Sequence, residues 1–84
     1  MEKTVCIDGL PRWVSETHLR ELCQVYGEVV SARVVKDPFG IPMGYAFVQM
    51  GSVQSAEKLI AGFTDFRPFG APLYVARTYP VGAT

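Results

Sequence analysis

Hydrophobic and polar positions change period several times along the chain, and each change marks an element. Thr4 to Asp8 alternates, with Val5 and Ile7 on one side and Cys6 and Asp8 on the other, and stops at Gly9. Period two predicts a half-buried strand, because successive strand side chains point to opposite faces. After Leu10 and Pro11 the period lengthens. Ser15 stands ahead of Glu16, where a hydroxyl can accept from the free amides of a first helical turn and a carboxylate suits the helix dipole. Leu19, Leu22, Cys23 and Tyr26 then recur at helical spacing, with His18, Arg20, Glu21 and Gln24 on the other side. A helix is predicted to begin near Ser15 and to end at Gly27.

Val29, Val30, Ala32, Val34 and Val35 form a β-branched run carrying Ser31 and Arg33, closed by Asp37, Pro38, Gly40 and Pro42. This predicts a second strand and a turn-rich loop. Tyr45 to Met50 alternates again, placing Ala46, Val48 and Met50 on one face and Tyr45, Phe47 and Gln49 on the other. Ser52 can cap a second helix with the stripe Ala56, Leu59, Ile60 and Phe63, its end expected near Gly62. A loop rich in turn residues from Thr64 to Pro72 leads to a last strand over residues 73–78 that stops at Pro80. Strand, helix, strand, strand, helix, strand predicts an α+β, ferredoxin-like β-α-β-β-α-β sandwich, with a four-stranded antiparallel sheet and two helices on one face. Residues 1–79 read as a single domain and 80–84 as a short C-terminal tail.

Composition narrows the function classes. The chain has 84 residues, 8 Lys plus Arg against 8 Asp plus Glu, and 49% hydrophobic residues. That suits one small folded domain and excludes a two-domain enzyme. With zero net charge, affinity for nucleic acid has to come from local patches or stacking and not from an overall field. No apolar run approaches the roughly 20 residues that span a bilayer, so no membrane association is expected. Cys6 and Cys23 have no Cys or His companions at metal-ligand spacing and fall on opposite sides of the expected sheet, so both read as free thiols. The expectation is an intracellular protein of a reducing compartment, cytoplasmic or nuclear, with no metal and no cofactor. His18, the single histidine, has no convergent partner for general-base work, and no catalytic constellation is visible.

Candidate chemistry lies on the sheet face that the helices leave open. Residues there should be polar unless they have another task, yet alternation turns Met43, Tyr45 and Phe47 outward together with Gln49. Tyr45 and Phe47, two positions apart on one strand, project to the same side about 7 Å apart, a spacing suited to neighbouring stacked bases. The competing reading is that the rings pack against each other or under a C-terminal tail. The same alternation adds Cys6 and Asp8, Arg33 and Val35, and Tyr74 and Ala76 to this face. Arg33 can stack on a base or hold a phosphate, or instead pair with Asp8 across the face.

The sequence resembles the RNA recognition motif family. Val5-Cys6-Ile7-Asp8-Gly9-Leu10 sits where that family has its first-strand hexapeptide, and Met43-Gly44-Tyr45-Ala46-Phe47-Val48-Gln49-Met50 resembles its third-strand octapeptide. Leu10-Pro11, Leu19, Leu22, Tyr26-Gly27, Val34 to Asp37, Ala56 and Gly70 fall at family-like spacings, so the resemblance covers nearly the whole chain. It implies a non-enzymatic module that binds short single-stranded RNA, or single-stranded DNA, on the open face. Phe47 would stack one base, Cys6 would occupy the second stacking position, and Tyr45 would contact sugar or an adjacent base. Four residues depart from the pattern; Gly9, where the family often has Asn, and Met50, in place of an inward-facing aromatic, read as turn and core variation, and the other two bear on binding. Cys6 replaces the usual Phe or Tyr and offers no flat ring, and Met43 replaces a Lys or Arg and cannot neutralise a phosphate. Arg33, Val35, Gln49, Tyr74, Ala76 and Asp8 complete the expected surface, with Lys36, Arg77 and Tyr79 as tail or edge contacts. The alternative is a protein-interaction module on the same fold with a weakened RNA surface, for which the loop residues Trp13 and Phe39 are the candidate markers. Trp13 is read first as a hydrophobic cover beside the start of the first helix.

Overall fold

A computed structural model describes residues 3–66, 68–70 and 73–77. The elements run β1 (Thr4–Asp8), α1 (Glu16–Cys23), a 3-10 turn (Gln24–Tyr26), β2 (Val29–Lys36), β3 (Pro42–Met50), α2 (Val53–Phe66) and β4 (Tyr74–Arg77). The four strands form one antiparallel sheet in the order β2-β3-β1-β4, the expected ferredoxin-like arrangement.

One sheet face carries the core. Val5, Ile7, Ala46, Val48 and Met50 are fully buried and pack with Leu19 and Cys23 of α1 and Ala56, Leu59 and Phe63 of α2 in one cluster. α1 starts where its sequence dictates: Ser15 is the N-cap, and its Oγ accepts from the His18 amide at 3.2 Å. Val14 precedes the cap and is buried with Leu19, the positions of a hydrophobic staple that fixes how the chain enters the helix. Two α1 side chains then turn to the free side of β2. Glu16 Oε2 accepts from the Val34 amide at 3.1 Å, and Arg20 donates to the Val29 carbonyl at 3.0 Å.

Three boundaries differ from expectation. α2 does not end near Gly62 but continues to Phe66. A Cβ at Gly62 would overlap the Tyr26 ring, so this glycine permits close approach of two elements and is not a helix terminator. β3 begins at Pro42, three residues earlier than expected, because the β2–β3 hairpin is tight: Asp37 Oδ1 accepts from the amides of both Phe39 and Ile41 at 2.9 Å. β4 spans only Tyr74–Arg77 among the described residues. Within β2 a bulge at Val30 breaks the alternation, which lets Val29 and Ala32, three apart, both sit opposite inward residues, Met50 and Val48.

Candidate nucleic-acid interface

Strand register sets the open face in rows. Cys6 lies opposite Phe47 on one side and Ala76 on the other, while Phe47 lies opposite Arg33, giving the row Arg33, Phe47, Cys6, Ala76 across four strands. A second row places Asp8 between Tyr45 and Tyr74. Gln49 lies opposite Ser31 and Thr4 at the far end. Ten residues expected on this face are thus arranged by three pairings, and eight of them, Cys6, Asp8, Arg33, Tyr45, Phe47, Gln49, Tyr74 and Ala76, have registered partners within it. Val35 and Met43 fall in the irregular stretch where β3 carries two extra residues against β2. Met43 is exposed there and Val35 half-buried.

Tyr45 and Phe47 contact each other edge-to-face, with ring centroids 5.9 Å apart and planes at 88°. Both rings remain half-buried at the surface, so mutual contact has not removed them from solvent. A base lying flat on Phe47 would meet the neighbouring ring at a right angle, a geometry that suits one stacked base and one contact to its neighbour. Beside Phe47 the small residues Cys6 and Ala76 leave the centre of the row low, while Tyr74 projects into solvent at 71% exposure. The charge on these rows is one cation, Arg33, and one anion, Asp8. Asp8 Oδ1 accepts from the Gly9 amide at 2.7 Å, and no Arg33–Asp8 ion pair forms among the described residues.

At the end of the face, the carbonyl of Gly44 accepts from the amides of Gly9 at 3.0 Å and Leu10 at 2.9 Å. Gly44 takes a φ of +88°, a conformation open to glycine and strained for other residues, so this position ties the exit of β1 to the entry of β3 beneath Tyr45. The two thiols behave differently. Burial pushes the Cys6 thiol above its ordinary value and the nearby Asp8 carboxylate adds to the rise, whereas burial alone pushes Cys23 up to about 12. Both cysteines are free, on opposite sides of the sheet.

The expected edge contacts separate. Arg77 lies opposite the inward-facing Val5 and pairs with Glu57 of α2 at 3.2 Å, which turns it to the helix side. Lys36 lines a pocket beside the first turn of α1. Tyr79 lies outside the described residues. Trp13 does touch α1, through His18, but it is 64% exposed, and the apolar cover at this point is its neighbour Val14. Sequence patterning missed Val14 because it precedes the helix and belongs to no periodic stripe.

The profile of the RNA recognition motif family matches residues 5–73 of this sequence. The chain belongs to that family. Its RNA recognition motif is 46% identical over 57 residues, 67% of the chain, to heterogeneous nuclear ribonucleoprotein Q of Arabidopsis thaliana, and spans only 12% of that protein. Among solved structures it superposes on RNA Binding Protein PG1 with a TM-score of 0.84 and 32% identity, covering 90% of this chain and 93% of that one. It also superposes on the Sxl-lethal protein/RNA complex with a TM-score of 0.83 and 26% identity, covering 92% and 48%.

Proposed function

We propose that this RNA recognition motif is a binding module, not an enzyme, that takes a short single-stranded RNA segment on its open sheet face. The observation that carries the reading is the Tyr45 and Phe47 pair: two aromatic rings on the solvent side of β3, Phe47 in register with Arg33 and Tyr45 with Asp8, on a fold whose core does not use them. Phe47 stacks one base, Tyr45 contacts the next nucleotide, and Arg33 meets a base plane or a phosphate. Gln49 and Tyr74 tune preference at either end of the surface. Similarity to a protein solved in complex with RNA supports the ligand class. Single-stranded DNA, with the same bases and phosphates, is a weaker second ligand. The domain occupies residues 1–79, and the compartment is the cytoplasm or the nucleus.

Affinity is modest on this reading. Without a ring at Cys6, a contribution of about 1–3 kcal/mol per stacked base is absent, and Met43 neutralises no phosphate. These two residues favour the second reading, a protein-interaction module whose RNA surface has weakened. An amide-resonance titration with short mixed-sequence single-stranded RNA at low salt separates the two. Shifts clustered at Cys6, Arg33, Tyr45, Phe47 and Tyr74, abolished by Tyr45→Ala with Phe47→Ala, support RNA binding. Absence of shifts even at low salt overturns it.

A further inference from the structure

Asp8 is the single anion on the two rows of the open face, and the strand ladder sets what surrounds it. The Gly9 amide donates to the Gly44 carbonyl at 3.0 Å and the Met50 amide to the Lys3 carbonyl at 2.8 Å, so the hydrogen-bonded pairs of β1 with β3 fall on odd β1 positions. Asp8 and Tyr45 are therefore a non-hydrogen-bonded pair, the class in which facing side chains come closest, with Cα atoms about 4.5 Å apart. On its other side Asp8 lies opposite the exposed Tyr74. An exposed carboxylate thus stands between two phenol rings. Its Oδ1 accepts from the Gly9 amide at 2.7 Å, which holds the group in one direction. That bond takes one of about four acceptor sites on the carboxylate. Among the described residues the one ion pair is Arg77 with Glu57, so no cation neutralises Asp8. Arg33, the cation of this face, lies in the other row and on the far side of β3. The field of Asp8 reaches along the face: the Cys6 thiol, raised first by burial, is raised further by this carboxylate.

With RNA on the open face, the reading on which this rests, we propose that Asp8 selects guanine at the Tyr45 position by accepting from the N1–H and N2 amino donors of the base. An ionised carboxylate accepts and never donates, so it sorts bases by their donors. The Watson–Crick edge of guanine carries two adjacent donors, which the two carboxylate oxygens can engage together. Adenine and cytosine present one amino group beside a ring-nitrogen acceptor, and uracil one N–H between two carbonyl oxygens. Each of these three sets lone pairs against the negative charge. Phosphate, all acceptor, is turned away for the same reason and is left to Arg33, a donor-only group in the neighbouring row. A cationic side chain of a protein answers the charge of Asp8 alone, whereas consecutive nucleotides use the charge and both rings, Tyr45 and Phe47.

The probes are dye-labelled uridine heptamers whose central base is guanine, inosine, adenine, cytosine or uracil, titrated with the whole chain at low salt and followed by fluorescence anisotropy. The guanine heptamer is expected to bind about tenfold more tightly than those with adenine, cytosine or uracil. Inosine keeps the N1–H but lacks the 2-amino group and should fall between. Asp8→Asn retains an oxygen for the Gly9 amide and puts a donor where the free acceptor was. It should erase the guanine preference while the other heptamers bind as well as before or better, since a negative charge has left the face. Amide spectra confirm that the variant folds. A residue that only anchors Gly9 would shift every heptamer by the same factor, and that result overturns the proposal. So do a preference for another base and a guanine preference that survives Asp8→Asn. Equal binding of all heptamers, lost in Tyr45→Ala with Phe47→Ala, overturns the role of Asp8 and leaves RNA binding by the open face standing. Binding by none of them overturns both.

Discussion

The two faces of the one sheet use the same strands for opposite purposes. On β3, Ala46, Val48 and Met50 vanish into the core while Tyr45 and Phe47, one step out of phase with them, remain at the surface. On β1, Val5 and Ile7 are fully buried and Cys6 and Asp8 are not. A period of two therefore separates the residues that make the core from the residues of the proposed interface, and one side can change with little effect on the other. The open face records such change: Cys6 stands where a stacking ring is usual, yet the pairing of β1 with β3 and β4 is regular on both sides of it.

The sharpest way to break this division is to empty the covered side. Phe63→Ala removes the largest fully buried side chain among the described residues and should destabilise the domain by about 3–5 kcal/mol in denaturant unfolding, while RNA affinity of the folded fraction stays unchanged. The buried thiol gives the next largest effect. Below the ordinary thiol value near 9 Cys23 is protonated whether the chain is folded or not, so it adds no pH dependence there; above it only the unfolded chain loses the proton. Stability should fall between pH 9 and about 12, by up to about 1.4 kcal/mol per pH unit. Unfolding curves of Cys23→Ala should lack that portion of the alkaline decline.

On the open side the expectation reverses. Phe47→Ala should weaken RNA binding by about 1–3 kcal/mol in a fluorescence-anisotropy titration, and a loss of stability as large as the loss of affinity would show that the ring belongs to the core instead. Cys6→Phe places a ring beside Phe47 and should tighten binding by about 1 kcal/mol, with the melting temperature little changed. Smallest is Met43→Lys, which should steepen the salt dependence of binding by the equivalent of about one phosphate contact while leaving stability as it was.

How far the sequence disclosed this arrangement depended on whether a residue's role was local. Val5 and Ile7, the stripe of α2 and the cap at Ser15 follow from spacing alone, and the outward placement of Tyr45 and Phe47 follows from the same alternation. Gly62 was misleading because its reason is a ring from another element, Tyr26, which no local pattern announces. β2 was blurred by the bulge at Val30. Arg77 counted as an edge contact in the sequence, but register with Val5 carried it to the helix side, where Glu57 waits. The pocket beside the first turn of α1 was not legible at all, since Val34, Lys36 and Pro42 come to it from across a hairpin.

β2 is an outermost strand, and its unpaired side is a ready template for another chain to join by backbone hydrogen bonding. Glu16 and Arg20, one helical turn apart on α1, already occupy an amide and a carbonyl along that side. An incoming strand would have to displace both before it could zip on, so the contacts that seat the first helix also guard the module against aggregation through its border.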